Sequence, residues 1–348
     1  MAVRGQPGRR RDACTVPQAT RRLILREAAL VALARCGAFQ RAFQRRRCLR
    51  VLCYHGVCAD EDAAAPWVPP TFVTASAFAA QLAMLRSYGP PVTIAEWLSA
   101  PPGASPESAW AITFDDVAAC AFEHARPVLA RDGVRATWFV ATGHVSSGRL
   151  FAGDVVRLVR VWPELVSPAA RQAVEEVDRR WGGFKRCPFE ELRAALGAAE
   201  AELRARLPAR AHAALRAVNW EQVATLAAEG HEIGGHTVDH VILGAQSPAE
   251  RDRQVSDCIA ELRQRLGRPV LGFAYPNGGP GDFGPDDEGR LAAVGVCYAV
   301  TTRCGDADRR EPYALNRVCI GGRHTLASLA LEMSGWADRR RLMQQGWL

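Results

Sequence analysis

Short apolar segments alternate with helical patterns along most of the chain. This alternation is typical of parallel β-strands joined by crossover helices, because a parallel neighbour needs a connection long enough to return to the same end of the sheet. The sequence predicts strands at residues 51–54, 111–114, 136–141, 232–234, 271–275, 297–301 and 317–320. The fold class is therefore α/β, and we expect an active site where the carboxyl ends of the strands meet.

Residues 150–217 interrupt this rhythm. Predicted helices at 118–131, 220–229, 249–266 and 288–294 lie between strands, whereas 150–217 is helical sequence rich in Ala, Arg, Leu and Glu with no strand in it. The charges predict a solvated helical insertion that serves as a lid or spacer over one face of the fold. Substrate selection by this insertion is the alternative.

The positive charge of the chain is concentrated at its N-terminus. The net charge is +7, but residues 1–50 hold thirteen Arg against only Asp12 and Glu27, so the remainder is slightly negative. No basic stripe with interleaved aromatic residues occurs there, and nucleic acid is excluded as an expected partner. The chain of 348 residues has a hydrophobic content of 48%. That is enough for a full globular core.

Residues 1–48 form a basic, amphipathic N-terminal segment in this interpretation. Charged residues interrupt its apolar stretch, so neither a spanning helix nor a signal peptide is expected. Residues 21–47 either contact an anionic membrane surface or pack on the domain. The eleven cysteines are an odd number without paired spacing. They fit a reducing compartment, so we expect a cytoplasmic protein, with peripheral contact at the inner membrane as the further option.

Two adjacent carboxylates follow the second predicted strand. Asp115 and Asp116 come directly after the apolar residues 112–114. Neighbouring carboxylates repel each other when both are ionised, so a cation on one and a hydrogen-bond partner on the other would keep both charged. The pair by itself is equally compatible with a turn or a helix N-cap.

Two histidines follow the fourth predicted strand. His236 and His240 are four residues apart, just after Gly234 and Gly235. If this segment forms one helical turn, both imidazoles project from the same face and can share one ion at about 2.0 to 2.1 Å. A single histidine is more often structural, whereas this pair favours metal binding.

Asp116, His236 and His240 together would leave part of a metal's coordination shell open. This arrangement is expected of catalytic zinc, because the open position holds water. A cation there lowers the pKa of water towards about 7 and polarises a carbonyl, as hydrolysis of an unactivated amide requires. Asp115 is placed to accept the proton of the water.

Three motifs resemble those of the polysaccharide deacetylases with a NodB-type domain, also called carbohydrate esterase family four. They are residues 113–116, 236–240 and 273–278, in the order and approximate spacing of the family. Residues 52–57 also resemble the first motif of a subgroup that acts on bacterial exopolysaccharides. The resemblance covers about residues 50–335 and implies a distorted, incomplete (β/α) barrel with the helical insertion added.

The resemblance also implies a metal and a base. A divalent ion, Zn²⁺ first with Co²⁺ or Ni²⁺ as alternatives, would bind Asp116, His236 and His240, and Asp115 would be the general base. An acetylated glycan is the implied substrate.

Further catalytic roles follow from the same resemblance. His55 resembles the histidine that protonates the leaving amine, with a strand-end cap as the alternative. Tyr275, Asn277 and Gly278 lie in the segment expected to contact substrate and the oxyanion, through backbone N–H groups around Asn277 and Gly278.

The sequence also departs from the family pattern. Ala274 stands where many members have an Arg that supports the base, and Arg317 looks like its substitute from another strand. Asn277 replaces a frequent aromatic residue. Val117 replaces a glycine and brings a β-branched side chain to a loop that is normally permissive.

Most other histidines and tryptophans are expected to be structural. His124, His144, His212, His231 and His324 have no partner motif. Most Trp residues in such a chain belong to the core. Four are nevertheless candidates for stacking on a sugar, namely Trp67, Trp97, Trp110 and Trp138.

The sequence thus predicts a deacetylase domain at residues 49–335, preceded by residues 1–48 and followed by a tail at 336–348. The expected activity is metal-dependent deacetylation of N-acetylhexosamine units in a bacterial polysaccharide or its precursor. A catalytically silent glycan-binding barrel is an alternative, motivated by Val117, Ala274 and Asn277. An amidohydrolase acting on a small non-sugar amide is another.

Overall fold

Seven parallel strands form one curled sheet in the computed structural model, which describes residues 18–101 and 107–347, with the backbone alone for residues 18–24. The strands are β1 (Leu49–Tyr54), β2 (Gly56–Cys58), β3 (Phe72–Thr74), β4 (Ala109–Phe114), β5 (Thr137–Val140), β6 (Glu232–Gly235), β7 (Gly272–Ala274), β8 (Tyr298–Val300) and β9 (Val318–Cys319). The sheet order is β8-β7-β6-β5-β4-β1-β9, and β2 pairs with β3 separately. A parallel bridge between Val300 and Leu315 brings the chain leading into β9 beside β8, so the sheet curls towards closure.

Helices cover the outside of this sheet. They are α1 (Gln18–Arg35), α2 (Ala38–Gln44), α3 (Ala75–Leu85), α4 (Ile94–Ser99), α5 (Ala119–Asp132), α6 (Thr142–Ser147), α7 (Ala152–Val161), α8 (Pro168–Trp181), α9 (Phe189–Arg206), α10 (Ala209–Leu215), α11 (Trp220–Ala228), α12 (Pro248–Leu266), α13 (Pro285–Ala293), α14 (Leu326–Ser334) and α15 (Asp338–Gln344). The α/β class and the incomplete barrel are confirmed.

All seven predicted strands are present, with boundaries within two residues of those expected. The sequence prediction missed β2 and β3, because three residues are too few to show a period of two. Residues 150–217 contain α7 to α10 and no strand, as predicted.

The strands are apolar on both faces, as expected for a parallel sheet covered by helices. Along β4, Trp110 and Ile112 pack in the main core with the outer helices, whereas Ala109 and Ala111 belong to a separate cluster on the other face. Continuing this alternation places Asp115 on the same face as Ala109 and Ala111, inside the curl of the sheet. The period of the strand therefore directs this carboxylate inward.

The N-terminal helices pack on the barrel. Phe39 and Phe43 of α2 are fully buried in the main core, and Leu30 and Leu33 of α1 pack against it. Among the described residues, no helix is both long and apolar enough to cross a bilayer. Contact of this segment with a membrane surface stays a prediction.

A buried arginine joins the first strand to the C-terminal helices. Arg50 is fully buried in β1, and its guanidinium donates to Asp306 Oδ1 at 3.0 Å and to Asp338 Oδ1 at 2.6 Å. It also donates to the Glu332 carbonyl at 3.1 Å. Asp338 of the predicted tail is thus tied to β1.

We expect Arg50→Met to lower the free energy of unfolding by about 1–3 kcal/mol, because it leaves the buried Glu332 carbonyl without its donor and leaves Asp306 and Asp338 with only the half-buried Arg46 as a cation. Urea unfolding followed by circular dichroism measures this loss. Arg47→Met is the control, because the side chains of Arg47 and its partner Glu107 are 71% and 69% exposed. Exposed pairs of this kind contribute less than about 1 kcal/mol. Equal losses in the two variants would contradict the expectation.

Candidate active site

The carboxyl ends of the strands surround a cavity of about 720 Å³. Each strand end contributes a polar side chain to its wall, because all strands of a parallel sheet point the same way. Most of the predicted site residues line this cavity: His55, Asp115, Asp116, His236, His240 and Asn277. The barrel brings them together from segments that are far apart in the sequence.

Asp115 forms a bidentate ion pair with Arg317. The two guanidinium nitrogens donate to Asp115 Oδ1 and Oδ2, each at 2.7 Å, and both residues are almost fully buried. Arg317 also donates to Thr113 Oγ1 and to the Thr301 carbonyl. Burial opposes ionisation of a carboxyl group. The charge and hydrogen bonds of Arg317 outweigh this effect and lower the pKa of Asp115 to about 2.

Asp116 points at both imidazoles instead. Its Oδ1 lies 3.0 Å from His240 Nε2 and 3.5 Å from His236 Nε2. This oxygen is buried and has no hydrogen-bond partner among the described residues. Donors bound tetrahedrally to one ion at about 2.0–2.2 Å would lie roughly 3.4 Å apart, so the three atoms are spaced as ligands of one cation.

The tautomer of His236 is set by a backbone contact. His236 Nδ1 donates to the Ala274 carbonyl at 2.7 Å. In the neutral imidazole this contact leaves the lone pair on Nε2, the atom that faces Asp116, as in most histidine ligands of metalloenzymes.

The expected helical turn between His236 and His240 is wrong. Thr237 and His240 have φ of 62° and 54°, so the segment is an irregular loop. Gln254 of α12 holds it by accepting from the Val238 and Asp239 N–H groups at 3.0 and 2.9 Å. The imidazoles converge because of this loop conformation, and helical spacing plays no part.

The loop after β4 is also in an unusual conformation. Asp116 and Val117 have φ of 64° and 53°. β-Branched residues rarely adopt this region of backbone conformation. Val117 is fully buried in the main core. The buried side chain of Val117 therefore has a backbone conformation that a glycine would adopt without strain.

His55 lies beside Asp115. Nitrogen, sulfur and oxygen atoms of His55, Cys53 and Asp115 lie within 4.8 Å of one another, and His55 Nδ1 is buried without a hydrogen-bond partner among the described residues. Burial lowers the pKa of His55, and the nearby carboxylates only partly offset this effect. A strand-end cap would require a hydrogen bond that this nitrogen does not make.

The segment after β7 is only partly at the site. Tyr275 is stacked on Phe283 away from the cavity, and Gly278 is also off the wall, with its N–H donating to the Pro276 carbonyl at 2.7 Å. Asn277 does line the cavity, and its N–H has no acceptor among the described residues. Of the three residues, only Asn277 lies on the cavity wall, and contact of any of them with substrate stays a prediction.

Sequence reasoning missed several residues of the cavity wall. His144 is buried there, stacked on Phe151, whose ring in turn contacts His240. Burial lowers the pKa of His144 to about 4. Asp154 of α7 also reaches the cavity, paired with Arg157 at 2.8 Å. The position of His144 just after β5 was the one available signal.

The four candidate tryptophans do not line the cavity. Trp110 and Trp138 are fully buried, and Trp67 and Trp97 are nearly so. They belong to the core, and any sugar stacking depends on other rings.

Comparison with known sequences decides the family. The sequence profile of the polysaccharide deacetylases matches residues 103–283, slightly more than half of the chain. The chain belongs to the polysaccharide deacetylase family. The match includes Asp115, Asp116, His236 and His240 but leaves His55 and Arg317 outside it.

Solved structures show the same fold. The deacetylase PplD of Streptococcus pyogenes, solved in complex with acetate, has a TM-score of 0.56 at 18% identity, over 82% of this chain and 98% of that one. IcaB from Ammonifex degensii has a TM-score of 0.54 at 21% identity, over 83% and 97%. The BpsB deacetylase domain from Bordetella bronchiseptica has a TM-score of 0.50 at 15% identity, over 79% and 96%. Comparison with curated proteins gave no match.

We expect Arg317→Met to destabilise this deacetylase by about 3–5 kcal/mol, because it leaves the buried charge of Asp115 without a partner. In the double variant with Asp115→Asn, the buried charge is removed as well, so part of the loss is recovered. A double-mutant cycle by urea unfolding should give a coupling of about 1–3 kcal/mol. Strictly additive losses would show that the two residues do not support each other.

Proposed function

We propose that this chain is a metal-dependent hydrolase that removes acetyl groups from N-acetylhexosamine units of a bacterial polysaccharide or its precursor. Family membership makes it a deacetylase, which hydrolyses a carbon–nitrogen bond. The observation that carries the metal requirement is the buried, unpartnered Asp116 Oδ1 facing the Nε2 atoms of His236 and His240.

The donor set fits a divalent cation of the zinc type. Two neutral imidazoles and one carboxylate leave room for water and substrate, and Co²⁺ or Ni²⁺ suit the same nitrogen and oxygen ligands. Asp115 with its low pKa is a weak base. A cation held there would supply the Lewis acidity that the acetyl carbonyl and the attacking water therefore need.

Asp115 is assigned the role of base. Arg317 holds both carboxylate oxygens, so the side chain keeps one orientation and stays ionised across the neutral range. Arg317 acts through Asp115 and is a positioning residue. From the position just before β9, it is assigned the role that an Arg at position 274 has in many members of the family.

His55 is assigned the delivery of a proton to the leaving amine. A buried imidazole with a lowered pKa gives up its proton readily once protonated. Asp115 lies close enough to be the source of that proton. The Asn277 N–H, which has no acceptor of its own among the described residues, is assigned to the developing oxyanion. The catalytically silent alternative is weakened, because Arg317 supplies the function expected of residue 274.

Chelated protein is expected to lose activity and to regain acetate release when it is reloaded with Zn²⁺, Co²⁺ or Ni²⁺. The assay is acetate release from a panel of N-acetylated oligosaccharides, with metal content measured by mass spectrometry. His236→Ala should lose the stoichiometric metal, whereas Asp115→Asn should keep the metal and lose acetate release. His124→Ala is the control, because His124 is off the cavity wall, and this variant should behave as wild type. No acetate from any sugar with any of these metals would refute the proposal.

His55→Ala should lower kcat by roughly 10²–10⁴-fold, because proton transfer to the amine is lost, while metal content stays unchanged. Steady-state kinetics on the best substrate of the panel measure this effect. Added imidazole should restore part of the rate if the missing group is a proton donor. A kcat close to that of the wild type would remove His55 from the mechanism.

A further inference from the structure

The cavity is larger than one acetylated sugar requires. If each non-hydrogen atom takes about 30 Å³, the volume per molecule in liquid water, an N-acetylhexosamine with about fifteen such atoms fills roughly 450 Å³. The cavity measures about 720 Å³. The difference leaves room for roughly nine further non-hydrogen atoms at the same share. The cavity therefore has room for another group beyond a single sugar.

The helical insertion supplies the wall of this additional space. Its side chains there are largely aliphatic or aromatic, with Leu150, Phe151, Val155, Phe184, Leu192 and Leu196 as the main ones. Leu150, Phe151, Val155 and Leu196 are at most 5% exposed, so packing against neighbouring side chains fixes their positions. The wall is preformed and apolar, the type of surface that binds hydrocarbon.

Several polar side chains of this wall already have partners within the protein. Asp154 accepts from Arg157 at 2.8 Å, Glu200 accepts from the Leu150 N–H at 2.9 Å, and Arg193 pairs with Glu190 at 2.9 Å. A longer oligosaccharide would bury many hydroxyl groups here, and each would need a partner. An aliphatic chain needs none.

Two contacts hold the insertion over the strand ends. Lys185 donates to the Asn277 side-chain oxygen, and the Phe189 N–H donates to Gln246 Oε1 at 3.0 Å. Asn277 and Gln246 belong to loops that follow β7 and β6, on the far side of the cavity. The apolar wall is thus anchored beside the metal-binding residues.

We propose that the substrate of this site is an amino sugar that carries an aliphatic chain, and that the insertion binds the chain. This inference rests on the proposed amide hydrolysis and specifies its substrate class. The chain could be attached at the anomeric carbon or could be the acyl group itself. In both cases water attacks the amide carbonyl, the carbon–nitrogen bond breaks, and a carboxylate and the free amine are released.

Three substrates distinguish the possibilities: the methyl and octyl glycosides of N-acetylglucosamine, and the methyl glycoside of N-octanoylglucosamine. All are used below their micelle concentrations. Burial of each CH₂ favours binding by about fourfold, so the preferred octyl compound should exceed the methyl glycoside of N-acetylglucosamine by at least about 100-fold in kcat/KM. Preference for the octyl glycoside places the chain on the anomeric side, and preference for the octanoyl amide makes it the acyl group.

A bulky residue introduced in α9 tests the location. Gly197 lines the cavity, and a Cβ built there meets no atom within 4 Å, so Gly197→Phe should fill the space without disturbing the helix. Gly289→Phe is the matched control, because Gly289 lies in α13, off the cavity wall, with equally open space. Gly197→Phe should weaken binding of the preferred octyl compound at least tenfold, and Gly289→Phe should leave it unchanged.

Calorimetric binding to the metal-free protein and product release by the metal-loaded protein are measured together. Acetate release without any preference for an octyl compound, or a preference that Gly197→Phe does not alter, would overturn this inference and leave the deacetylase proposal intact. A different outcome would be binding that depends on the aliphatic chain and is abolished by Gly197→Phe, with no product from any substrate or metal. That outcome would support the cavity assignment and refute the catalytic proposal.

Discussion

The buried ion pair between Asp115 and Arg317 links the chemistry of this protein to the closure of its sheet. The two residues are 202 positions apart and come from the ends of β4 and β9, which flank β1 on opposite sides. Burying both charges is costly, and only bidentate geometry with additional hydrogen bonds offsets that cost. The orientation of Asp115 therefore depends on the pairing of β9 with β1, which brings Arg317 into place.

Around this pair, the backbone itself is unusual. Of the six described non-glycine residues with positive φ, five lie at the strand ends that form the site: Asp116, Val117, Thr237, His240 and Asn277. Such conformations cost of order 1–3 kcal/mol each and persist only where the surrounding structure enforces them. Here the packed strands and the side chain of Gln254 provide that enforcement, and the result is a convergence of donors on one point.

The barrel and the insertion have separate roles in this picture. Strand ends carry the groups that we propose to bind a cation and move protons, whereas α7 and α9 supply a largely apolar wall. A fold of this kind supports different substrates by changing what is added around a constant site. Residues 150–217 are thus the part of the chain to which we assign the substrate specificity of this deacetylase.

The sequence by itself determined the strands, the two carboxylates and the paired histidines, because apolar periodicity and position at a strand end are local properties. It also indicated Arg317 as the substitute for an arginine at position 274. Only the tertiary structure decided that Arg317 meets both oxygens of Asp115, and that His236 and His240 converge without a helical turn. It also showed that His144 and Asp154 enter the cavity while Tyr275 and Gly278 lie off it. These outcomes depend on contacts between distant segments, and no local pattern of residues encodes how a curled sheet and its insertion bring such segments together.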